Sequence, residues 1–472
     1  MSGRTVLATP TQPPAAPAPP APPGGPAPAD AAINHRALLA VLLGVALATL
    51  DTAIANTALP VIAADLQASP AASIWVINAY QLAVVATLLP FAALGDVLGP
   101  RRVFLGGLAF FTVASLGCAL APSLLLLAGA RALQGIGAGA LMSVNLALIR
   151  AIFPASQLGR GVGLNALVVG VAFAVGPTVA SLVLALGNWH WLFAINVPLG
   201  GLALAFAWPA LPPAARRGHG FDPRTAALTM LGFGALIGTL AGAAQGEPWP
   251  LLLAGAVTVL ACTAVLLRRE AGHPAPMLPA DLLRRPLFAL SAITSWAAFS
   301  AQGLAFVALP FFFASVLQRN PVDTGYLMTP WPIVVALAAP IAGRLSDHYP
   351  AGLLGGVGLA VLCAGLASLA LLPADASTPD IVWRMALCGA GFGGFQSPNL
   401  RALMSSAPPE RSGGASGVIA VARLTGQATG AALVALSFGL AGSHSGPTWA
   451  LLLGAVFAAA ASAASFARLR VA

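Results

Sequence analysis

Asp51 is the only acidic residue in the apolar run from Ala37 to Leu59. A carboxylate at the centre of a membrane helix costs about 2.5–3.5 kcal/mol to insert, so it normally faces a partner or a wet cavity and marks an ion or substrate path. The plain alternative is a fixed hydrogen-bonding anchor for a neighbouring helix. Three arginines lie in other apolar runs: Arg131, Arg384 and Arg423. Arg131 has Gln134 one turn along on the same helical face, an arrangement that suits a proton site, a substrate contact or a side chain snorkelling to the outer interface. Arg384 sits a few residues into its run, where snorkelling is the simpler role, whereas Arg423 lies deeper and is followed at i+4 by Gln427. Asn56, Gln134, Gln302, Gln396, Asn399, Arg423 and Gln427 are candidates to line a central substrate cavity with Trp296 and Phe395. Such an apolar, aromatic lining favours lipophilic solutes. Spacing in the second half puts Gln302 near the position equivalent to Asp51.

The elements that must position these residues are membrane helices. The chain has 472 residues, of which 58% are hydrophobic and only 7% charged, a composition foreign to soluble domains. Spanning helices need about 20 mostly apolar residues, and such runs recur along the chain. The spacing predicts an all-α polytopic membrane protein with fourteen spans: 37–59, 74–94, 103–121, 124–149, 161–187, 190–210, 225–243, 251–267, 287–314, 325–343, 351–372, 381–404, 413–440 and 447–467. All 22 basic residues are arginines, which reads as codon bias. Eighteen of them fall on one side of that topology, with Arg319 alone opposite and three within spans, so both termini are expected in the cytoplasm. The net charge of +9 is dispersed over short loops, which argues against nucleic acid as a partner.

Residues 1–36, rich in Pro and Ala, have too little apolar surface to fold and no compact secretion-signal core, and are expected to form a disordered cytoplasmic tail. Cys118, Cys262, Cys363 and Cys388 lie inside apolar runs without metal spacing.

The two halves echo each other. Gly95-Asp96-Val97-Leu98-Gly99-Pro100-Arg101-Arg102 follows span 2, and Gly343-Arg344-Leu345-Ser346-Asp347-His348 follows span 10. Arg131 comes 35 residues after Asp96, and Arg384 comes 37 after Asp347. Each arginine precedes a small-residue face, Gly135 to Gly139 and Gly389 to Gly393. The repeat divides the chain into a six-helix bundle over 37–211, linkers with two extra helices over 212–286, and a second six-helix bundle over 287–472.

Five segments together resemble the major facilitator superfamily, specifically its fourteen-span drug:proton antiporter branch. Leu50 to Pro60 is similar to that branch's first-helix signature. Leu94 to Arg102 resembles the loop 2–3 motif, with Ala92 for its leading glycine and Val97 and Pro100 where basic residues are usual. Arg131 to Gly137 resembles the motif implicated in proton coupling. Gly170 with Gly176-Pro177 resembles the antiporter motif, with Ala180 and Ser181 replacing its closing glycines, and Trp189 to Gly200 is similar to the start of the branch's sixth span. The resemblance implies a major facilitator fold and a proton-coupling pair of Asp51 and Arg131. It also implies a cytoplasmic gate at Asp96, Gly99, Arg101 and Arg102. Burial disfavours an ionised carboxylate and a nearby cation favours it, so movement of Arg131 relative to Asp51 would switch proton affinity. Gly176-Pro177 interrupts the hydrogen bonding of span 5 and supplies either a bend for rocking or a tolerated kink.

No catalytic constellation, nucleotide-binding loop or metal spacing competes, so the chain is expected not to be an enzyme and to need no cofactor or metal. The expectation is a monomer in a bacterial cytoplasmic (inner) membrane that exports hydrophobic or amphiphilic small molecules against protons by alternating access. An uptake or metabolite permease of the same fold and a non-transporting sensor are the alternatives.

Overall fold

The computed structural model describes residues 33–154, 157–212, 222–244, 246–270, 280–407 and 412–471. Residues 1–32 of the expected disordered tail and the linker residues 213–221 and 271–279 lie outside these residues, whereas His35 and Arg36, expected in the tail, already open a helix. Backbone polar groups in hydrocarbon must be satisfied within the segment, and the described residues answer with helices throughout.

The first half comprises α1 (His35–Asp65), the short α2 (Pro70–Ser73), α3 (Trp75–Leu98), α4 (Pro100–Ala119), α5 (Leu124–Ile152), α6 (Leu158–Leu186), α7 (His190–Ala194) and α8 (Asn196–Ala210). Next come α9 (Pro223–Ala244), α10 (Trp249–Glu270) and the short α11 (Ala280–Leu283). The second half comprises α12 (Pro286–Phe311), α13 (Pro321–Met328), α14 (Pro330–Leu345), α15 (Ala351–Ala370), α16 (Thr378–Ser406) and α17 (Ser412–Ala467). Helix starts follow local chemistry. Asn34, Ser123 and Asn320 accept backbone N–H groups in the first turns of α1, α5 and α13, and Pro opens α4, α12, α13 and α14.

A helix covers each of the fourteen expected intervals. By length and apolar composition alone, eleven described helical stretches qualify as membrane spans, one of which runs through the break at Gly442 within α17. One boundary is corrected. The loop expected from Gly95 is helical to Leu98, and the chain turns at Gly99, whose φ of 92° favours glycine.

The glycine faces repeat as packing devices. Gly135 and Gly139 of α5 lie against α3, and Gly137 lies against α4; a Cβ on any of them would collide with the neighbouring helix. Gly389 and Gly393 of α16 meet α14 in the same way, and Gly391 meets α15. Helices α9 and α10 pair with each other; α9 also touches α3 and α17, while α10 is almost wholly exposed.

One apolar core joins the halves, with Ile54, Leu59 and Phe193 packed in one cluster with Phe306, Phe311 and Trp331. It sits at the ends of α1, α6 and α12. At the opposite end the cores separate. The beginning of α1 packs with α4 and the end of α5, with Leu424 its only fully buried contribution from the second half, and Phe288 packs with Leu403. The halves therefore meet at the end where Arg319 stands and part at the arginine-rich end.

Candidate functional site

Asp51 sits mid-way along α1, 1% exposed, and every close polar neighbour is a donor. Arg131 Nη1 of α5 donates to Oδ2 in a salt bridge. Gln134 Nε2 and Asn196 Nδ2 each donate to Oδ1 at 2.8 Å. Gln134 is used at every atom: Nε2 also donates to Ser115 Oγ at 2.8 Å, and Oε1 accepts from Arg131 Nη1 and, at 3.5 Å, from Cys118 Sγ. Arg131 Nε donates to the Val76 carbonyl at 3.1 Å, while its Nη2 has no partner. The guanidinium carbon lies 4.2 Å from the Tyr80 ring centroid and 5.4 Å from that of Phe193, a cation–π arrangement. Six helices, α1, α3, α4, α5, α7 and α8, thus contribute to the surroundings of one carboxylate. Small residues allow it: Gly135 brings α5 against Tyr80, and Gly176 brings α6 against Ala53.

The expected pairing of Asp51 with Arg131 is formed. Gln134, expected with Arg131 at a proton site or in the substrate cavity, bonds both Asp51 and Arg131. Asn196, Ser115 and Tyr80 were missed as site residues. Asn196 carried a signal, since it is a lone polar residue in the apolar stretch that opens the sixth span; Ser115 and Tyr80 carried none. Asn56 is buried, and its Oδ1 lacks a partner.

Among the described residues the second half holds no buried carboxylate centre. Gln302 of α12 accepts from Gln427 Nε2 at 3.1 Å, which leaves an amide pair where the spacing put a counterpart of Asp51. Asn399 serves the arginine-rich end: its Oδ1 accepts from Arg468 Nη1 at 2.7 Å and its Nδ2 donates to Ser295 Oγ at 2.7 Å. Arg468, expected among the loop arginines, is buried and held by Ser291, Ser465 and Asn399. Trp296 packs edge-on to Phe457 and lines an apolar flank pocket of about 250 Å³ with Leu89 of α3 and Val421 of α17, away from the polar centre. Phe395 packs with Phe299 and Phe392 inside the second half. Gln396 and Arg423 are half-buried.

At the expected gate, Asp96 is exposed and makes no ion pair, Arg102 is exposed, and Arg101 Nη2 donates to the Trp208 carbonyl at 2.6 Å. Gly99 turns the chain into α4, and from its first turn Arg101 makes an interhelical contact to α8. In the second half the matching loop is closed: Arg401 bonds Asp347 and Ser346. Pro177 lies inside α6, whose next turn meets α13. Thr178 and Thr329 hydroxyls are 2.9 Å apart, and Gly325 gives room to Ser181, which stands where the antiporter motif has glycine.

Among the described residues no three His, Cys, Asp or Glu side chains stand together as a metal site. A family model described as Major Facilitator Superfamily matches residues 41–431. The chain belongs to the major facilitator superfamily. It is 51% identical to the transporter YebQ of Escherichia coli K12, over 87% of this chain and 91% of that one. It is 30% identical to the riboflavin transporter RibZ of Clostridioides difficile (85% and 87% covered) and 31% to the tetracenomycin C resistance and export protein of Streptomyces glaucescens (84% and 74%). Among solved structures, a bacterial homologue of the lysosomal transporter Spinster, in an inward-facing conformation, matches with a TM-score of 0.66 at 15% identity, covering 93% and 97%. This major facilitator chain is therefore a multi-pass membrane transporter, and transporters of the family take small-molecule substrates within the bilayer.

Proposed function

We propose that the protein exports hydrophobic or amphiphilic small molecules in exchange for protons, by alternating access of two bundles. The observation that carries this reading is the buried Asp51 centre, a carboxylate shared by α1, α5 and α8. A membrane-embedded ionisable group held by a single arginine is a device whose charge can be switched. When Asp51 takes a proton it releases Arg131, and the contact between α1 and α5 loosens; when Arg131 returns, the proton leaves. Asp51 and Arg131 act as the coupling pair, with Gln134 and Asn196 orienting the carboxylate. Joined cores at one end and separate cores at the arginine-rich end suit a state open to the cytoplasm. The reading includes fourteen spans, both termini in the cytoplasm, a bacterial inner membrane, a monomer and no enzymatic step.

Everted vesicles test it. Acidification of the lumen drives drug accumulation by the wild type, and Asp51→Asn abolishes that while inserting normally. Full activity of the variant rejects the coupling scheme. A second reading, proton-coupled uptake, is favoured by the replacement of the antiporter motif's closing glycines and by the similarity to a riboflavin transporter. Substrate entering right-side-out cells down the proton gradient would select it.

A further inference from the structure

Asp51 and Arg131 neutralise each other, Arg384 pairs with Asp380, and Arg401 pairs with Asp347. Arg423 does not: its side chain, half-buried in α17, meets no carboxylate, hydrogen-bond acceptor or aromatic ring among the described residues. One face of α17, carrying Val418, Val421, Ala422 and Thr425, lines the flank pocket. Arg423 projects from the other face, since a step of four residues returns to the same side of a helix and Gln427 there meets Gln302. Gly426 and Gly430 press that side of α17 onto α12. Arg423 therefore leaves α17 on its α12-facing side, one turn from the amide pair and toward the end where the two cores separate.

An arginine in this setting is costly unless something balances it. Its planar fork suits a carboxylate or another flat anion, with two parallel hydrogen bonds. Asp51, the only buried carboxylate among the described residues, is satisfied by three donors and offers nothing to a cationic head group.

We propose that Arg423 binds the anionic head, a carboxylate or phenolate, of an amphiphilic substrate, with the Gln302 and Gln427 amides meeting its neutral polar atoms. This rests on the transport reading and narrows its substrate class from lipophilic compounds in general to organic acids.

The test is equilibrium binding to purified protein, which needs no gradient and so separates failure of this proposal from failure of proton coupling. The probes are matched carboxylate and trimethylammonium derivatives of naphthalene, indole and decane, competing in their radiolabelled forms. The wild type binds the acids in preference to the ammonium partners. Arg423→Gln weakens the acids by about 10- to 100-fold, the range for a lost charged hydrogen bond, and leaves the ammonium compounds unaffected. Arg423→Lys, which keeps the charge without the fork, falls between. Arg384→Gln is the control and leaves acid binding unchanged. The proposal is overturned if no acid binds the wild type, if the ammonium partners bind better, or if folded Arg423→Gln binds acids as the wild type does. The wild-type comparison decides the matter even if the variant fails to fold.

Discussion

Asp51 and Arg131 hold each other in a place neither could occupy alone, and a double-mutant cycle measures how tightly. Asp51→Asn keeps the shape of the side chain, yet all three neighbours are donors, so its new NH₂ must face one of them. Asn196 can ease this by turning its amide, because its Oδ1 has no partner of its own. The charge on fully buried Arg131 cannot be eased. Removing one member of a buried pair costs about 3–5 kcal/mol, and the Asn196 repair argues for the lower end. Arg131→Gln leaves the opposite charge stranded, although two amide donors remain on it. For a bundle of this size each kcal/mol moves the melting temperature by roughly 2–4 °C, so each single variant should melt roughly 6–20 °C below wild type. The double variant carries no stranded charge and should recover to within roughly 3 °C of wild type, while remaining inactive in transport. Thermal unfolding of purified protein followed by tryptophan fluorescence supplies the first readout, and gradient-driven flux the second. Additive losses in the double variant would refute the claim that the pair is coupled. Flux in either Asp51→Asn background would refute the claim that it couples protons.

Three further outcomes follow from geometry. A disulfide between Thr178→Cys and Thr329→Cys, at positions whose hydroxyls are 2.9 Å apart, should stop flux until reductant is added; unchanged flux in the cross-linked protein would mean the halves need not part there. Gly303→Ala should lower the melting temperature, because its Cβ would lie 2.6 Å from the Gln427 carbonyl oxygen, a clash worth about 1–3 kcal/mol. Gly106→Ala, with nothing within 4 Å, is the neutral control in the same assay. Finally, hydrogen bonds from the Thr225 hydroxyl and Arg269 hold the Asp222 carboxyl well below the usual carboxylate range. Its contact with Arg269 is therefore complete above the unfolded pKa of about 3.9 and is lost only as pH falls below it, so the flux profile of Asp222→Asn should overlay wild type between about pH 5 and pH 8.

The fold was legible because helix length and arginine placement are properties of the chain alone. The centre was legible only where a charge betrayed it. Asp51, Arg131 and Gln134 stand out in apolar surroundings, but Ser115 and Tyr80 are ordinary membrane residues, and only the crossing of α3, α4 and α5 gives them a role. Asn399 and Arg468 show the converse. Each looked like a cavity or loop residue in isolation, and they find each other across 69 positions of sequence. The partner of Arg101 on α8 was not legible either, because a loop motif says which residues are present but not which helix they touch.

The contact of α12 with α17 has a consequence for how such a carrier adapts. Backbone rides on backbone at Gly303, Gly426 and Gly430, so these two helices behave as one beam with no slack between them. Compliance toward cargoes of different outline must come from the facing wall, α1, α3 and α6. Substitutions that broaden or narrow the range of substrates carried should therefore gather on that wall and spare the three glycines.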